Sequence, residues 1–312
     1  MAGVSVPVAL IFFRRLDCLE KVLDAVVAAR PSRIYAYGDG PRADRKGEAE
    51  ACAAAGELVR RRLSPITDLR IEQAQTNLGL RRRVETALDD VFSREDAAVI
   101  LEDDCVPVPD FFPFVASLLS QHADNAHVGG ITGTSFCLPG EIRGGAEYYF
   151  SKYPHCWGWA TWSRAWKQYD HTGSGWPCDL SSLPLGFAGR LERNYWRDIF
   201  EKTYTGRLDS WAYRWTLSCW HHGMLTATPQ VNLVRNIGCG ENATHTRDDT
   251  GMKSLGQTGS LKFPLTHPAS VRQNRRADTR TFWRHHAMGA RLPFWARMIR
   301  SWRKRVGVGQ SG

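Results

Sequence analysis

Several signatures are missing from this 312-residue chain, and each absence removes a class of function. No run approaches the ~20 apolar residues that a transmembrane helix needs. The first turn from strand to helix, Arg14-Arg15-Leu16-Asp17, holds no glycine. A dinucleotide fold would carry GxGxxG there, so a nicotinamide or flavin enzyme is disfavoured. A P-loop is absent too, which speaks against an ATPase of that class. The eight cysteines (18, 52, 105, 137, 156, 178, 219 and 239) form no CxxC pair and no zinc spacing. They suit buried thiols in a reducing cytosol better than a disulfide framework. The N-terminus, residues 1–13, lacks a basic region before its apolar stretch and is expected to be a core strand rather than a signal peptide. Asn242-Ala243-Thr244 matches a glycosylation sequon, which means nothing in a cytosolic chain.

Positive charge is scarce where a nucleic-acid binder would need it. Of the 41 Lys and Arg, eleven lie from Ser270 onward with a single acid, Asp278; the remainder holds 30 bases against 31 acids. A near-neutral body argues against a nucleic-acid partner. In the basic tail, Phe294, Trp295, Met298, Ile299, Trp302 and Val306 share one helical face, with Arg297, Arg300, Arg303, Lys304 and Arg305 mainly opposite. That pattern marks a helix lying in a membrane interface, where anionic lipid adds about 1 kcal/mol per nearby base. A partner-docking helix, or a last core helix with a solvated basic face, would look the same. The expected location is cytoplasmic, with the tail able to hold the chain peripherally on the inner face of the cell membrane.

What is present reads as α/β. Hydrophobic content of 43 % and charged content of 23 % are ordinary for a soluble globular protein. Residues 7–13 predict a buried strand, and Leu16, Leu19, Val22, Leu23, Val26 and Val27 recur at helical spacing up to Arg30-Pro31. Residues 33–37 predict a second strand closed by Gly38-Asp39-Gly40-Pro41, residues 44–63 a helix, residues 69–74 a third strand, and Asn77-Leu78-Gly79 leads into a helix through about Phe92. The fourth strand, Ala97 to Leu101, runs straight into three acids, Glu102-Asp103-Asp104. Alternating strands and helices predict a doubly wound, mainly parallel sheet with helices on both faces. Acids at a strand's carboxyl end sit where such sheets bind ligands, and hard oxygen donors suit Mg²⁺ or Mn²⁺ carrying a phosphorylated substrate. The alternative is an acidic solvated turn. Nine of the twelve tryptophans fall between 157 and 220, either stacking on sugar faces or packing a core.

The order of Gly38-Asp39-Gly40-Pro41, Asn77-Leu78-Gly79, Leu101-Glu102-Asp103-Asp104-Cys105 and Phe111-Phe112 resembles a nucleotide-sugar glycosyltransferase of the GT-A fold. Tyr149-Phe150-Ser151, Trp157-Gly158-Trp159-Ala160-Thr161-Trp162, Asn232-Leu233-Val234, Asn236-Ile237-Gly238 and Ala243-Thr244-His245-Thr246 extend the likeness over roughly residues 5–250. It is a likeness to a bacterial family distantly similar to N-acetylglucosaminyltransferase I. The resemblance implies a GT-A domain over 1–266, with a nucleotide-sugar half (5–122) and a Trp-rich acceptor half (123–266), followed by the tail 267–312.

It also implies roles. Asp104 is the metal ligand, Asp103 a ligand or outer contact, and Glu102 nucleotide-facing or structural. Asp39 is expected to read the base, unless it serves only as a turn residue. Asn77 and Gly79 lie where backbone approaches the nucleotide. One of Arg81, Arg82 and Arg83, with Arg81 first choice, is expected on phosphate, and at least one of the three must be solvated. Asp209 is the candidate general base, with Trp211 as an acceptor wall, or else a helix cap. Related sequences carry an acid where this chain has Ala212, which leaves Asp209 to act alone. His245 is the candidate closing ligand over metal or diphosphate, or a structural histidine. His221-His222 and His285-His286 are expected on the surface or in packing. The implied donor is a nucleotide-diphosphate sugar, by resemblance a UDP-sugar, and the acceptor a glycan, lipid-linked or protein acceptor. A sugar-1-phosphate nucleotidyltransferase is the enzyme alternative, although the first turn lacks its Gly-rich loop; a non-catalytic glycan-binding module is the other.

Overall fold

The computed structural model describes residues 6–138, 140–142, 144–238 and 258–287. The first half alternates as the apolar spacing predicts: β1 (Val8–Phe12), α1 (Leu16–Ala29), β2 (Arg33–Gly38), α2 (Glu48–Leu63), β3 (Asp68–Gln73), α3 (Leu80–Phe92) and β4 (Ala97–Glu102). Every residue of β1 is buried, as a strand covered on both faces must be. Helix α1 buries Leu19, Val22, Leu23 and Val26 on one stripe, and stops where Arg30 turns left-handed (φ 49°) before Pro31. Helix α2 starts at Glu48, four residues later than the composition suggests, after Gly47 at φ 79°.

Beyond the acids come β5 (Cys105–Pro107), α4 (Phe111–Gln121), β6 (Val128–Thr132), β7 (Tyr148–Ser151), β8 (Trp159–Trp162), α5 (Ser163–Trp166), α6 (Arg190–Tyr204), α7 (Trp211–His221), β9 (Leu225–Pro229), β10 (Val234–Asn236) and α8 (Arg275–Thr281), with a turn of π-helix over Phe282–His286. Eight strands form one sheet in the order β3-β2-β1-β4-β8-β6-β9-β7, and β10 pairs with β5 in a separate ribbon. Strands β3, β2, β1 and β4 are all parallel. The second half is mixed: β8 runs antiparallel to β4 and β6, β9 runs parallel to β6, and β7 antiparallel to β9. The expected α/β sheet is present, purely parallel only in its first half. Helix α1 packs on α2, whereas α3 packs on α5 and α7. Strand order therefore reverses between β1 and β4, and loops at the carboxyl ends of those two strands diverge to leave a crevice. Among the described residues no helix is long and apolar enough to cross a membrane.

Most tryptophans are core. Trp196, Trp211, Trp215 and Trp220 are among the largest fully buried side chains, while Trp159 stacks on Trp211 at 5.5 Å. Residues 267–287, assigned by sequence to the basic tail, belong to the body. Gln273 bridges to Phe150, Asp278 accepts from Ser151 Oγ at 2.6 Å and Gln273 Nε2 at 2.7 Å, and Arg284 makes two 2.9 Å bonds to Glu141. The amphipathic stretch 294–306 lies outside the described residues.

Beneath the second half, Lys152 is wholly buried, its Nζ 2.6 Å from Glu192 and 3.8 Å from the Phe187 ring centroid. Removing one partner of a buried ion pair strands the other, at a cost of about 3–5 kcal/mol. Lys152→Met should therefore lower unfolding free energy by about that much, and adding Glu192→Gln should recover part of it. Equal urea midpoints for parent and single variant would refute this.

Candidate active site

A cleft of about 810 Å³ opens at the carboxyl ends of β1 and β4. One wall comes from the first half of the chain: Phe13, Arg14, Arg15, Asp39, Asn77, Gly79 and Glu102–Asp104; the other comes from Phe136, Tyr153–Trp157, Leu208–Tyr213, His285 and His286. The two walls are far apart in sequence, and the strand-order reversal brings them together.

The acids sit at its floor. Asp103 and Asp104 are buried and share one cation: Arg15 Nη2 lies 2.5 Å from Asp103 Oδ1 and 2.8 Å from Asp104 Oδ2. The second oxygen of Asp103 accepts the Phe13 backbone N–H at 3.1 Å. Burial raises the Asp103 carboxyl to about 6 although Arg15 pulls it down, and burial with the charges of Asp104 and Asp103 pushes Glu102 well above the carboxylate range. Burial alone would lower Arg15, yet the two aspartates outweigh it and raise the guanidinium further. The β5–β10 ribbon holds the far side: Ile237 N–H donates to Asp104 O at 2.9 Å. A Cβ on Gly238 would stand 1.9 Å from Asp104 Oδ2, so any side chain there would displace that carboxylate.

Among the described residues no group of three His, Cys, Asp or Glu is poised to hold a metal. The donor set still suits a hard divalent ion, because Mg²⁺ and Mn²⁺ sites commonly use one or two carboxylates and complete the shell with water and phosphate oxygens. Asp103 and Asp104 supply that number. His245 lies outside the described residues.

Asp39 has a different task from the base contact expected of it. Its Oδ1 accepts from Gly40 N and Leu78 N, both at 2.8 Å; its Oδ2 accepts from Asn77 Nδ2 at 2.9 Å and Gly79 N at 3.1 Å. All four lone-pair sites are spent. The carboxylate clamps the loop after β3 to the turn after β2, and Asn77 works inside the clamp, bonding Gly40 O at 3.0 Å. Gly40 is forced by this closeness: a Cβ there would meet Thr76 backbone at 2.5 Å.

The three arginines at the start of α3 separate. Arg82 is exposed and Arg83 is buried against Glu72 and the Tyr37 ring. Arg81, the expected phosphate ligand, instead pairs with Asp209, and with Glu85 at 3.2 Å. Asp209 is not the helix cap either; Ser210 occupies that position, and no side chain caps α7. Asp209 is 60 % exposed and leans over Gly79, its Oδ2 3.9 Å from where a Cβ would be. It therefore bridges the two walls. Trp211 lines the cleft but is 2 % exposed, so it supports the wall more than it offers a face.

Residues given no site role from the sequence complete the walls. Arg14 and Arg42 flank the Phe13 ring, each 5.7 Å from its centroid, and both are anchored by buried Glu48. On the opposite wall His155, His285 and His286 converge with Phe136 and Trp196: His285 stacks on Phe136 at 3.9 Å, and His286 meets Trp196 edge-on at 4.8 Å. Burial lowers His285 to about 4 and holds the other two still more firmly neutral. His155 Nε2, His286 Nε2 and Trp196 Nε1 are buried without a hydrogen-bond partner among the described residues. No spacing rule links residues 155, 196 and 286.

No protein-family model matches the chain, and no curated protein matches it. The resemblance to N-acetylglucosaminyltransferase I is thus not returned by either comparison. Solved structures that overlap it include a glucose-1-phosphate thymidylyltransferase from Bacillus anthracis in complex with a sucrose (10 % identity, 53 % of this chain and 75 % of that one, TM-score 0.33). The glycosyltransferase GlyE of Streptococcus pneumoniae TIGR4 overlaps at 11 % identity over 72 % of this chain and 45 % of that one (TM-score 0.32). A UDP-glucose pyrophosphorylase complexed with UDP-glucose overlaps at 8 % identity over 53 % and 79 % (TM-score 0.31). Likenesses this loose carry no argument about the activity of this chain.

The Glu48 anchor has a pH signature. Hydrogen bonds from Arg42 lead in lowering its carboxyl from 4.5 to about 2. A depressed acid binds fewer protons folded than unfolded, so its stabilisation is full above pH 4.5 and is lost as pH falls toward 2. Glu48→Gln should lose less stability than the parent across that acid window in urea titrations; parallel curves would contradict the assignment.

Proposed function

We propose that this chain is a metal-dependent, inverting glycosyltransferase that moves a sugar from a nucleotide-diphosphate donor to a hydroxyl of a glycan or glycoconjugate, in the building of a bacterial surface polysaccharide. The observation that carries this reading is the acid triplet at the end of β4, set at the strand-order reversal and facing a cleft of about 810 Å³.

Asp104 and Asp103 are the proposed ligands of Mn²⁺ or Mg²⁺, with His245 as a further ligand. The bound ion would neutralise charge on the departing diphosphate. Phe13 offers a ring face for the base, between the guanidinium groups of Arg14 and Arg42. Asp39 and Asn77 hold the loops so that Gly79, with no side chain, leaves the backbone approachable. Asp209 is the proposed base. Its Oδ1 is held by Arg81, which orients the carboxylate across the cleft, and it takes the proton of the acceptor hydroxyl as that oxygen attacks the sugar carbon. In this reading Arg81 positions Asp209 and leaves phosphate to other groups. The far wall, whose histidines burial holds neutral, suits an uncharged, hydroxyl-rich acceptor.

The test is release of nucleoside diphosphate from a panel of nucleotide sugars, with and without Mn²⁺ and an acceptor extract. Asp104→Asn should remove Mn²⁺-dependent turnover. Asp209→Asn should keep donor binding and lower transfer by about 10²–10⁴-fold, the usual worth of a general base. Turnover unaffected by Asp104→Asn would overturn the reading. Synthesis of a nucleotide sugar from a sugar-1-phosphate would replace it with nucleotidyl transfer.

A further inference from the structure

The proposed metal ligands are already engaged. Asp103 spends Oδ2 on the Phe13 N–H, and Asp104 Oδ1 faces Cys105 Sγ at 3.4 Å. The remaining oxygens, Asp103 Oδ1 and Asp104 Oδ2, are the two on which Arg15 Nη2 sits, at 2.5 and 2.8 Å. Two cations do not share such a pair: like charges this close repel strongly in a half-buried site. A guanidinium does not escape by losing its proton, so it has to move. Arg15 has room to do so. It stands on the residue before α1, its side chain is 24 % exposed toward the cleft, and among the described residues its other terminal nitrogen makes only a long 3.5 Å contact with Gly238 O.

We propose, resting on the metal-site reading above, that Arg15 competes with the metal for Asp103 and Asp104 and releases them when a diphosphate takes the guanidinium instead. A guanidinium fork matches phosphate oxygens as well as it matches carboxylates. Metal binding without diphosphate strands Arg15; diphosphate binding without metal strands the aspartates. Each ligand therefore raises affinity for the other, and by linkage the two effects are equal. Arg15 makes the site open to a metal–nucleotide pair and poorly open to either alone. The device guards against occupation by free divalent ions.

The experiment is Mn²⁺ binding to the full chain, read from loss of the free-ion electron paramagnetic resonance signal, alone and with UDP, GDP, dTDP or ADP. In the parent chain Mn²⁺ alone should bind weakly, and the fitting nucleotide should tighten it by roughly tenfold or more, within the usual range of coupling between sites. Arg15→Gln should bind Mn²⁺ alone roughly tenfold tighter, bind nucleotide more weakly, and show little coupling. Its melting temperature should rise with Mn²⁺ more than the parent's does. Arg15→Lys keeps the charge, and with it the fold, but not the fork: Mn²⁺ alone should stay weak while coupling falls. Unchanged coupling in both variants overturns the role of Arg15 and leaves the metal site standing. Nucleotide-enhanced Mn²⁺ binding in none of the chains, with no gain for Arg15→Gln, overturns the metal reading itself.

Discussion

Concentrating three carboxylates at the end of one buried strand is costly, and the fold is arranged to bear it. Among the described residues a single guanidinium stands between Asp103 and Asp104, a backbone N–H fixes one of them, and the close approach of Gly238, just after β10, closes the far side. Strands β1 and β4 must be neighbours for Arg15 to reach the acids, and they are neighbours because the sheet order reverses between them. The crevice and its charge therefore have one origin. If the sheet had been wound in one direction only, β2 and β3 would stand between β1 and β4 and Arg15 would be out of reach of the acids.

The rest of the cleft divides by the same logic. On the side of the first sheet half the carboxylates act as anchors: Glu48 holds Arg14 and Arg42, and Asp39 clamps two loops. On the opposite side the wall is aromatic and its histidines are neutral, because burial, reinforced by neighbouring positive groups, disfavours their charged form. Asp209 and Arg81 join the two sides. A charged end facing an uncharged end is the arrangement that the proposed glycosyl transfer to a sugar hydroxyl calls for.

Local patterns in the sequence were sufficient to place the strands of the first half, the acid triplet and the turn at Asp39, since each depends on a run of adjacent residues. Three things were beyond them. Asp39 looks like a base reader or a plain turn residue until the loop 77–79 is seen to fill its lone pairs, and that loop is nearly forty residues away. Arg81 reads as a phosphate ligand because its partner Asp209 comes 128 residues later. His285 and His286 read as tail residues because the contact that folds 267–287 back onto the body, through Asp278 and Ser151, again joins distant positions. Dense tryptophans were ambiguous for another reason: a ring that packs a core and a ring that stacks on sugar have the same composition, and burial alone separates them.

The most direct test of the account is where a nucleotide sugar lands. Hydrogen–deuterium exchange of the full chain, with a nucleotide sugar and Mn²⁺ against the free chain, reads this without knowing the acceptor. The account predicts protection at the ends of β1 and β4 and in the loops at 38–41 and 77–81, with little change along β7 and β9. Protection confined to the second half of the sheet, or absent at residues 102–105 when binding is saturated, would contradict it.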